Sequence, residues 1–386
     1  TSVPSAAELT SDYYKGLNYL LEGRPDGAID SFIDALEVNS ETIETHLALG
    51  TLLRKRGEVE RAIRVHQNLL ARPSLPRTQI HQAHLGLARD YISAGLLDRA
   101  ESLLFSLVDE SVEQRDASRR YLLEIYQSER EWQRAIEVSG DFLAQKSLLG
   151  TKKSSEYNNE RARQVIIARA HFFCELAEEK LVAGELQSAR SLLEKALSQD
   201  TRCVRASIML GSVEYKAGHF KQAIKALRKV SQQDTGFLPE TISLLRKCYC
   251  EIGDERALKE YLEDCLGSSP SPNLLLAVAE DICDAGGKDA AAEFLSSRLA
   301  DQPSLRGLAK LIHLQLELTE GPARDNLDLL QVLVTQLVTE RPAYRCEHCG
   351  FSGQQLHWFC PGCRYWGSVK PADSTRTLAS QNLELE

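Results

Sequence analysis

Residues 177–193 read AEEKLVAGELQSARSLL, and residues 211–227 read GSVEYKAGHFKQAIKAL. The second stretch follows the first by 34 residues (177 to 211), and both carry a small first residue, then glycine, alanine and leucine at the same spacings. A fixed period of about 20 to 50 residues is the signature of repeat architectures, in which each unit packs on the next. The fold is therefore predicted from the repeat and not from isolated segments.

The same register recurs elsewhere in the chain with small insertions. The alanine position is occupied at Ala28, Ala62, Ala100, Ala135, Ala189 and Ala223. The glycine position is occupied at Gly23, Gly57, Gly95, Gly184 and Gly218. The small opening position is occupied at Gly16, Gly50, Ala88, Ala177 and Gly211. Arg130, Ala135 and Phe142 fit a weaker unit of the same kind.

This pattern specifies a hairpin of two helices. Glycine after the first helix adopts a positive φ without a Cβ clash, so it ends that helix. The small opening residue lets the two helices approach closely, and the alanine fills a place on the second helix where only a methyl group fits. Here the chain resembles the tetratricopeptide repeat (TPR) family, whose unit is a helix-turn-helix of about 34 residues. The predicted fold class is all-α, a TPR superhelical solenoid.

The domain organisation follows from where the register weakens. We predict about six TPR repeats over 1–235, divergent TPR-like hairpins over 236–340, a metal-binding domain over 341–372 and a flexible tail over 373–386. Two connecting segments stand out. Arg72–Arg77 carries two prolines, and Lys146–Glu160 is polar and is predicted to be a mobile insertion.

Stacked hairpins form a long concave face that binds a partner segment or a globular surface. Candidate groove residues on the first helix of each unit are Arg54, Lys55, Arg89, Glu178, Tyr215 and Lys216. For each of them, the alternative is an ordinary solvated helix-face side chain, and that alternative stays open. TPR arrays rarely carry catalysis, so the chain is not predicted to be an enzyme.

Two C-x₂-C pairs lie near the C-terminus, in the sequences CEHCG (346–350) and CPGCR (360–364). Each pair suits a tight turn that points two thiolates at one ion, and two facing turns give a closed tetrahedral site. Four thiolates select zinc or a single iron, and a closed shell leaves no open position for catalysis. The predicted ligands of one iron or zinc ion are Cys346, Cys349, Cys360 and Cys363. His348 and His357 are spare candidates, and His348 is expected to face solvent.

This segment resembles the rubredoxin knuckle pair, C-x-x-C-G followed by C-P-x-C, over about 25 residues. It departs from that pattern in its shorter spacer and in Arg364, which stands where glycine usually follows the last cysteine. A structural zinc-ribbon-like role is therefore favoured over electron transfer. The aromatic residues expected to form its small core are Tyr344, Phe351, Trp358, Phe359, Tyr365 and Trp366. Because so small a unit buries little apolar area, its metal should contribute folding free energy and part of its surface should pack on the array.

Composition narrows the function classes. The net charge of -9 argues against sequence-independent nucleic-acid binding, which needs a basic stripe. No apolar run reaches the length of about 18 residues that a membrane span needs, and Thr1–Thr10 lacks the apolar core of a secretory signal. The other six cysteines are scattered singly through helix-like sequence, which fits a reducing compartment better than a disulfide framework.

TPR repeats followed by a C-terminal rubredoxin-like knuckle resemble the bacterial lipopolysaccharide assembly protein B family. The segments that carry this resemblance are 12–21, 56–64, 89–96, 171–177, 344–346 and 358–361. The resemblance implies a non-enzymatic regulator of lipopolysaccharide biosynthesis at the cytoplasmic side of the bacterial inner membrane. Family members are held there by an N-terminal transmembrane helix that this sequence does not contain.

The resemblance also implies partners. Members bring the lipid A pathway deacetylase, UDP-3-O-acyl-N-acetylglucosamine deacetylase, to a membrane-anchored AAA zinc metalloprotease of the FtsH type for degradation. A lipopolysaccharide-sensing inner-membrane protein opposes this. No partner-contact residues are implied, and a homodimer stays open.

Two other function classes remain open on the residues alone. A rubredoxin-like redox carrier with TPR docking would require iron that cycles between oxidation states. A zinc-ribbon nucleic-acid binder would use the locally basic tail and stack the aromatic residues on bases. No nucleic-acid partner is expected on the overall charge.

Overall fold

The structure is a computed structural model that describes residues 18–19, 43–71, 75–148, 156–268, 271–301, 303–339 and 342–372. The chain divides into two compact units, 1–146 and 147–386. The repeat predicted around Gly16, Gly23 and Ala28 lies outside the described residues, as does the tail predicted over 373–386. Among the helices of the described ranges, none has the length and apolarity needed to cross a membrane.

The described part of the first unit is helical. Its helices are α1 (Ile43–Lys55), α2 (Val59–Leu70), α3 (Arg77–Ser93), α4 (Leu97–Glu110), α5 (Arg115–Glu129) and α6 (Trp132–Leu148), the last ending just past the unit boundary. Helices α1 and α2 pack together, as do α3 and α4, and α2 packs on α3. This succession of hairpins confirms the predicted fold class.

The second unit continues the same plan and ends in a small sheet. Its helices are α7 (Glu156–Val182), α8 (Leu186–Gln199), α9 (Val204–Lys216), α10 (Phe220–Arg228), α11 (Val230–Gln233), α12 (Pro239–Ile252), α13 (Glu255–Ser268), α14 (Pro272–Gly286), α15 (Lys288–Asp301), α16 (Leu305–Leu318) and α17 (Pro322–Thr339). A short 3₁₀ turn, Thr235–Phe237, precedes α12. The strands are β1 (Tyr344–Cys346), β2 (Ser352–Gly353) and β3 (Val369–Pro371).

The repeat register places its glycines and alanines as predicted. Gly57, Gly95, Gly184 and Gly218 each follow the first helix of a hairpin with φ of 84°, 74°, 78° and 77°. All five alanines of the described register are fully buried, namely Ala62, Ala100, Ala135, Ala189 and Ala223. In the weaker unit, Arg130 ends α5 with φ 59°, so the left-handed turn persists without glycine.

The polar insertion predicted over Lys146–Glu160 is wrong in its extent. Helix α6 continues to Leu148 and α7 begins at Glu156, so both ends of the polar stretch are helical. Serine, asparagine and lysine within a helix cost only roughly a few tenths of a kcal/mol each, and neighbouring turns override that preference.

The divergent region also forms hairpins. Helices α12 and α13, α14 and α15, and α16 and α17 pack in pairs, and Gly253 ends α12 with φ 71°. A continuous apolar cluster runs from Ala223 and Leu227 on α10 to Leu314 on α16. This cluster therefore extends past the predicted end of the regular repeats.

Close approach of two helices at Gly211 gives a test of the register. A Cβ at Gly211 on α9 would overlap the Leu227 side chain on α10, whereas a Cβ at Gly267 on α13 meets nothing within 4 Å. Gly211→Ala should lower the free energy of unfolding by about 1–2 kcal/mol, because overpacking outweighs the gain in helix propensity. Gly267→Ala should be neutral or stabilising by up to about 1 kcal/mol. Urea unfolding of the two variants measures the difference, and equal effects would contradict the close approach.

Candidate metal centre and its seat on the helical array

The C-terminal segment folds into a three-stranded antiparallel sheet with the order β2-β1-β3. Strand β1 pairs Tyr344 with Gly353 on one side and Cys346 with Val369 on the other. A further bridge joins Phe359 to Trp366. We call residues 342–372 the knuckle. The sheet places the first cysteine turn, which follows β1, next to the second cysteine turn.

Each cysteine turn is closed by a residue in the left-handed region. Gly350 has φ 77° and Arg364 has φ 60°, each directly after the second cysteine of its pair. The Gly350 N–H donates to the Cys346 carbonyl at 3.0 Å, and the Arg364 N–H donates to the Cys360 carbonyl at 2.9 Å. The two turns therefore match, and Arg364 departs from the rubredoxin pattern in its side chain but keeps the backbone conformation.

The four sulfur atoms converge. The Sγ atoms of Cys346, Cys349, Cys360 and Cys363 all lie within 4.8 Å of one another. Two of the Sγ–Sγ distances, Cys346–Cys363 and Cys349–Cys360, are 3.7 Å. Thiolates at about 2.3 Å from a tetrahedral zinc ion are about 3.8 Å apart, whereas disulfide sulfurs are about 2.05 Å apart. The arrangement fits a single four-coordinate ion, the two 3.7 Å separations are too long for disulfide bonds, and all four cysteines are free.

The electrostatics of the cluster agree with this fit. Burial disfavours the Cys346 thiolate, but hydrogen bonds with Ser368 and with the backbone N–H groups of Cys349 and His348 outweigh it and lower the pKa to about 6. Burial and the neighbouring thiols raise the pKa of Cys363 to about 12. Four thiolates this close repel one another, so they ionise together only around a cation.

The rings of the two spare histidines pack on aromatic side chains. His348 is exposed, as expected, and stacks on the Tyr365 ring at a centroid distance of 4.0 Å. His357 meets Phe351 edge-on at 6.0 Å. Within the described residues, the one group of three or more His, Cys, Asp or Glu side chains that could hold a metal is the four-cysteine cluster.

The knuckle packs on helical residues of its own unit, the second, through two tryptophans. Trp366, only 7% exposed, stacks on His171 of α7 at 5.0 Å and meets Phe172 edge-on at 5.9 Å. Trp358 stacks on Phe237 of the 3₁₀ turn at 5.3 Å. The prediction that the knuckle docks on the array is confirmed. This use of Trp366 also removes it from the base-stacking surface that a nucleic-acid binder requires.

Polar contacts surround this seat. The Lys370 ammonium donates to Asp234 at 2.7 Å, and the Tyr344 hydroxyl donates to Glu240 at 2.8 Å. The Arg306 guanidinium on α16 donates to the Pro342 carbonyl at 3.2 Å. Burial and the Glu240 hydrogen bond raise the pKa of Tyr344 to about 12, so its hydroxyl stays a donor. The contacts fix the orientation of the sheet, while the tryptophans supply the apolar area.

His171 is the residue at the centre of the seat. It is 3% exposed, and burial together with the positive charges of Arg205 and Lys370 lowers its pKa to about 3. The ring is therefore neutral and packs as an aromatic surface. Arg205 on α9 is held by Glu175 at 2.6 Å, which fastens α9 to α7 directly beneath the knuckle.

Close backbone approach at Gly367 gives a test of the seat. Gly367 has φ 63°, and a Cβ there would lie 3.2 Å from the His171 Nε2 atom. Gly367→Ala should weaken the seating by about 1–2 kcal/mol, because the left-handed backbone and the contact both disfavour a methyl group. The Gly367 N–H, which donates to the Trp358 carbonyl at 2.8 Å, should then exchange with solvent about tenfold faster.

A matched glycine in the same sheet serves as the control. A Cβ at Gly353 would meet Phe351 at an ordinary 3.8 Å, and φ there is not positive. Gly353→Ala should leave exchange in the seat unchanged, and both variants should keep their metal. Unaltered exchange in Gly367→Ala would contradict the close approach to His171.

The predicted groove residues do not form one free surface. The prediction that Arg54 lines the groove is wrong. Its side chain is only 7% exposed, and its guanidinium donates to buried Asp90 at 2.6 Å. Tyr215 packs on Phe220 at 5.7 Å and on the apolar cluster of the second unit. From the sequence alone, an arginine or lysine on the first helix of a repeat could line the groove or form a buried ion pair. Only the position of the facing helix distinguishes the two.

The other four are surface residues to differing degrees. Arg89 is half-buried over the Tyr121 ring, with a distance of 5.7 Å to the centroid. Glu178 is exposed and accepts from Arg205 at 2.7 Å. Lys55 and Lys216 are exposed.

Sequence reasoning missed the residues beneath the knuckle. His171, Phe237 and Asp234 receive it, yet they lie more than 100 residues before it in the chain. The aromatic run at 171–173 indicated a second packing surface on α7, because three successive rings on a helix point to different sides and could not all enter one hairpin.

Comparison with known families agrees with this architecture. Residues 344–371 match the family described as the rubredoxin metal binding domain. Residues 45–78 and 181–248 match tetratricopeptide repeat families.

Two curated relatives cover nearly the whole chain. The lipopolysaccharide assembly protein B of Escherichia coli (strain K12) is 36% identical over 367 residues, which is 95% of this chain and 90% of the relative. The protein of the same name from Haemophilus influenzae is 34% identical over 377 residues, 95% of this chain and 91% of the relative.

Proposed function

The chain belongs to the lipopolysaccharide assembly protein B family, and from that premise we propose that it is a non-enzymatic adaptor that regulates lipopolysaccharide biosynthesis. The observation that carries the proposal is that the similarity runs through both the repeat array and the knuckle, so the whole architecture is shared. Helical repeat arrays bind other proteins through extended surfaces, which supports a binding role over catalysis.

The adaptor would bring two proteins together. One is the lipid A pathway deacetylase, UDP-3-O-acyl-N-acetylglucosamine deacetylase, and the other is a membrane-anchored AAA zinc metalloprotease of the FtsH type that degrades it. A lipopolysaccharide-sensing inner-membrane protein would oppose this. Holding both proteins at the cytoplasmic side of the inner membrane raises their effective concentration for each other, and that increase would supply the activity without new chemistry.

The knuckle would serve this role as a structural clasp. We assign Cys346, Cys349, Cys360 and Cys363 as ligands of one iron or zinc ion, on the convergence of their sulfurs. The ion would neutralise the thiolates and cross-link the two turns. Trp358 and Trp366 would hold the knuckle on the array by covering Phe237 and His171, and the Lys370–Asp234 ion pair would fix the orientation of the knuckle.

Reconstitution tests the proposal. The deacetylase and the protease would be combined in proteoliposomes with the adaptor joined to a membrane helix, and loss of the deacetylase followed over time. We expect at least about a tenfold faster loss with the adaptor than without it, the scale that tethering produces. Direct capture of each partner by this chain gives the second readout. Failure to bind either partner, with the knuckle metallated, would overturn the adaptor role.

Metal analysis of protein from unsupplemented cells separates the structural role from redox transfer. Zinc alone, at one ion per chain in protein with full activity, would remove the redox carrier. Iron that is reversibly oxidised, together with an electron-transfer partner, would favour it instead.

A further inference from the structure

The last helix carries an exposed apolar face. On α17, five large side chains are between 47% and 63% exposed, namely Leu329, Leu330, Val332, Leu333 and Leu337. Leu329 lies three and four residues before Val332 and Leu333, and Leu333 lies three and four residues from Leu330 and Leu337, so the five share one broad face. We call this the α17 outer face. Single exposed apolar residues are ordinary, but a contiguous group of five marks an interaction surface.

Helix α17 is apolar on two sides. Its inner side packs on α16, where Val334 joins Ile312 and Leu316 in a buried cluster with Leu327 and Val338 beside it. The polar residues Asp328, Gln331 and Thr335 line a third side, and exposed Gln336 lies within the outer face beside Val332. A helix with apolar side chains on two sides is normally covered on both of them. The terminal repeat of a solenoid needs a polar outer side, whereas most of the side chains on the α17 outer face are apolar.

We propose that the α17 outer face binds the same face of a second copy of this chain, as an antiparallel helix pair about a two-fold axis near Leu333. The charges on the helix support this occupant. No charged residue lies between Leu329 and Thr339. The face therefore offers nothing for a charged partner to recognise, and its own apolar surface is the complement that the structure supplies.

The ends of the helix are also compatible with antiparallel self-pairing. Asp325 lies eight residues before Leu333, about 12 Å at a rise of about 1.5 Å per residue. In the pair, the two acidic ends are about 24 Å apart, beyond the screening length of about 8 Å at physiological salt. Lipid is disfavoured, because the α17 charges are Arg324, Asp325 and Asp328, whereas interfacial helices carry lysine and arginine beside their apolar face.

The area is sufficient for a weak dimer. The exposed parts of the five side chains amount to roughly 500 Å² per copy, so a pair buries about 1,000 Å² of apolar surface before any polar rim is counted. That lies at the lower limit of specific interfaces, which predicts a dissociation constant in the micromolar range. The proposal stands on α17 alone and is independent of the adaptor role.

Sedimentation velocity of the full chain from about 1 to 300 μM tests the pairing, a range that spans the expected micromolar constant. We expect the 43.1 kDa chain to approach twice that mass as the concentration rises. Leu333→Glu should place two like charges at the axis and raise the dissociation constant by at least about 30-fold, since desolvated like charges cost several kcal/mol. Val182→Glu, at an 87% exposed position of the same unit, adds the same charge elsewhere and should leave the dimer intact.

A charge-swap mixture identifies the axis. Leu333→Lys alone should also be monomeric, whereas a one-to-one mixture of Leu333→Glu and Leu333→Lys should regain the dimer, because position 333 of one copy meets position 333 of the other. Circular dichroism would check that each variant keeps its helices. A wild-type chain that stays monomeric at 300 μM, or a Leu333→Glu dimer as strong as wild type, would overturn the proposal. Flotation of the wild type with anionic phospholipid vesicles, lost in Leu333→Glu, would assign the face to lipid and overturn it too.

Discussion

Replacing both Cys346 and Cys349 with serine should reduce the metal content from one ion per chain to less than about a tenth and unfold the knuckle, because metal binding supplies about 10–16 kcal/mol to folding of small structural sites. The knuckle otherwise has strands of two or three residues and a buried cluster centred on Cys346, Cys360 and Val369. Metal analysis measures the first effect. Loss of amide protection across 344–371 measures the second.

The helices should survive this change. The second unit has its own apolar cluster, from Ala223 to Leu314, which does not include the knuckle. Far-ultraviolet circular dichroism should therefore fall only slightly. Cys250→Ser, at an exposed single thiol on α12, is the control and should keep both metal and knuckle. A double variant that retains its ion, or one that loses most of its helix content, would be incompatible with a metal-stabilised clasp on an independent array.

The second large effect is expected in the first unit, at Asp90. Asp90 is fully buried on α3 and accepts from Arg54 of α1 at 2.6 Å and from His66 of α2 at 2.5 Å. The His66 ring fills the space left by Gly50 and Gly86, where any Cβ would overlap it. One carboxylate thus ties three helices together at the point where their backbones come closest.

Asp90→Ala should lower the local stability of the first unit by about 3–5 kcal/mol, because it leaves the Arg54 cation buried without its partner. Amide exchange on α1 to α3 should then quicken by about two to three and a half orders of magnitude, at about 1.4 kcal/mol per tenfold. Glu58→Ala is the matched control. It breaks a pair with Arg61 whose side chains are 26% and 21% exposed, and it should cost less than about 1 kcal/mol. Similar effects of the two variants would show that burial does not set the strength of the Asp90 contacts.

The regular part of the fold was predictable because its signals are local. A glycine that ends a helix acts within its own turn, and Gly57, Gly95, Gly184 and Gly218 all adopt the conformation that their spacing predicted. The converging cysteines are local for the same reason, since each C-x₂-C pair forms one turn. Arg130 shows where such reasoning becomes weaker, because the same turn forms there without the residue that signals it.

Surface roles were less predictable because they depend on what a side chain faces. Arg54 and Lys55 are neighbours in the sequence, yet Arg54 lies against Asp90 and Lys55 is exposed. A difference of one residue turns a side chain by about 100° around the helix, and only the position of α3 decides which of the two is buried. Residues chosen for a groove on residue type alone were therefore a mixture of interior and surface.

By itself, the sequence determined the helical repeat, the place where the first helix of most hairpins ends, and the convergence of the four cysteine sulfurs, since each follows from residues within about one turn or one repeat of each other. Tertiary structure alone decided that the knuckle sits on His171, Phe237 and Asp234, and that α17 has a second apolar face left uncovered. The physical reason is the same in both cases. Burial between segments far apart in the chain depends on which surfaces meet, and a side chain's own neighbours in the sequence do not record that meeting.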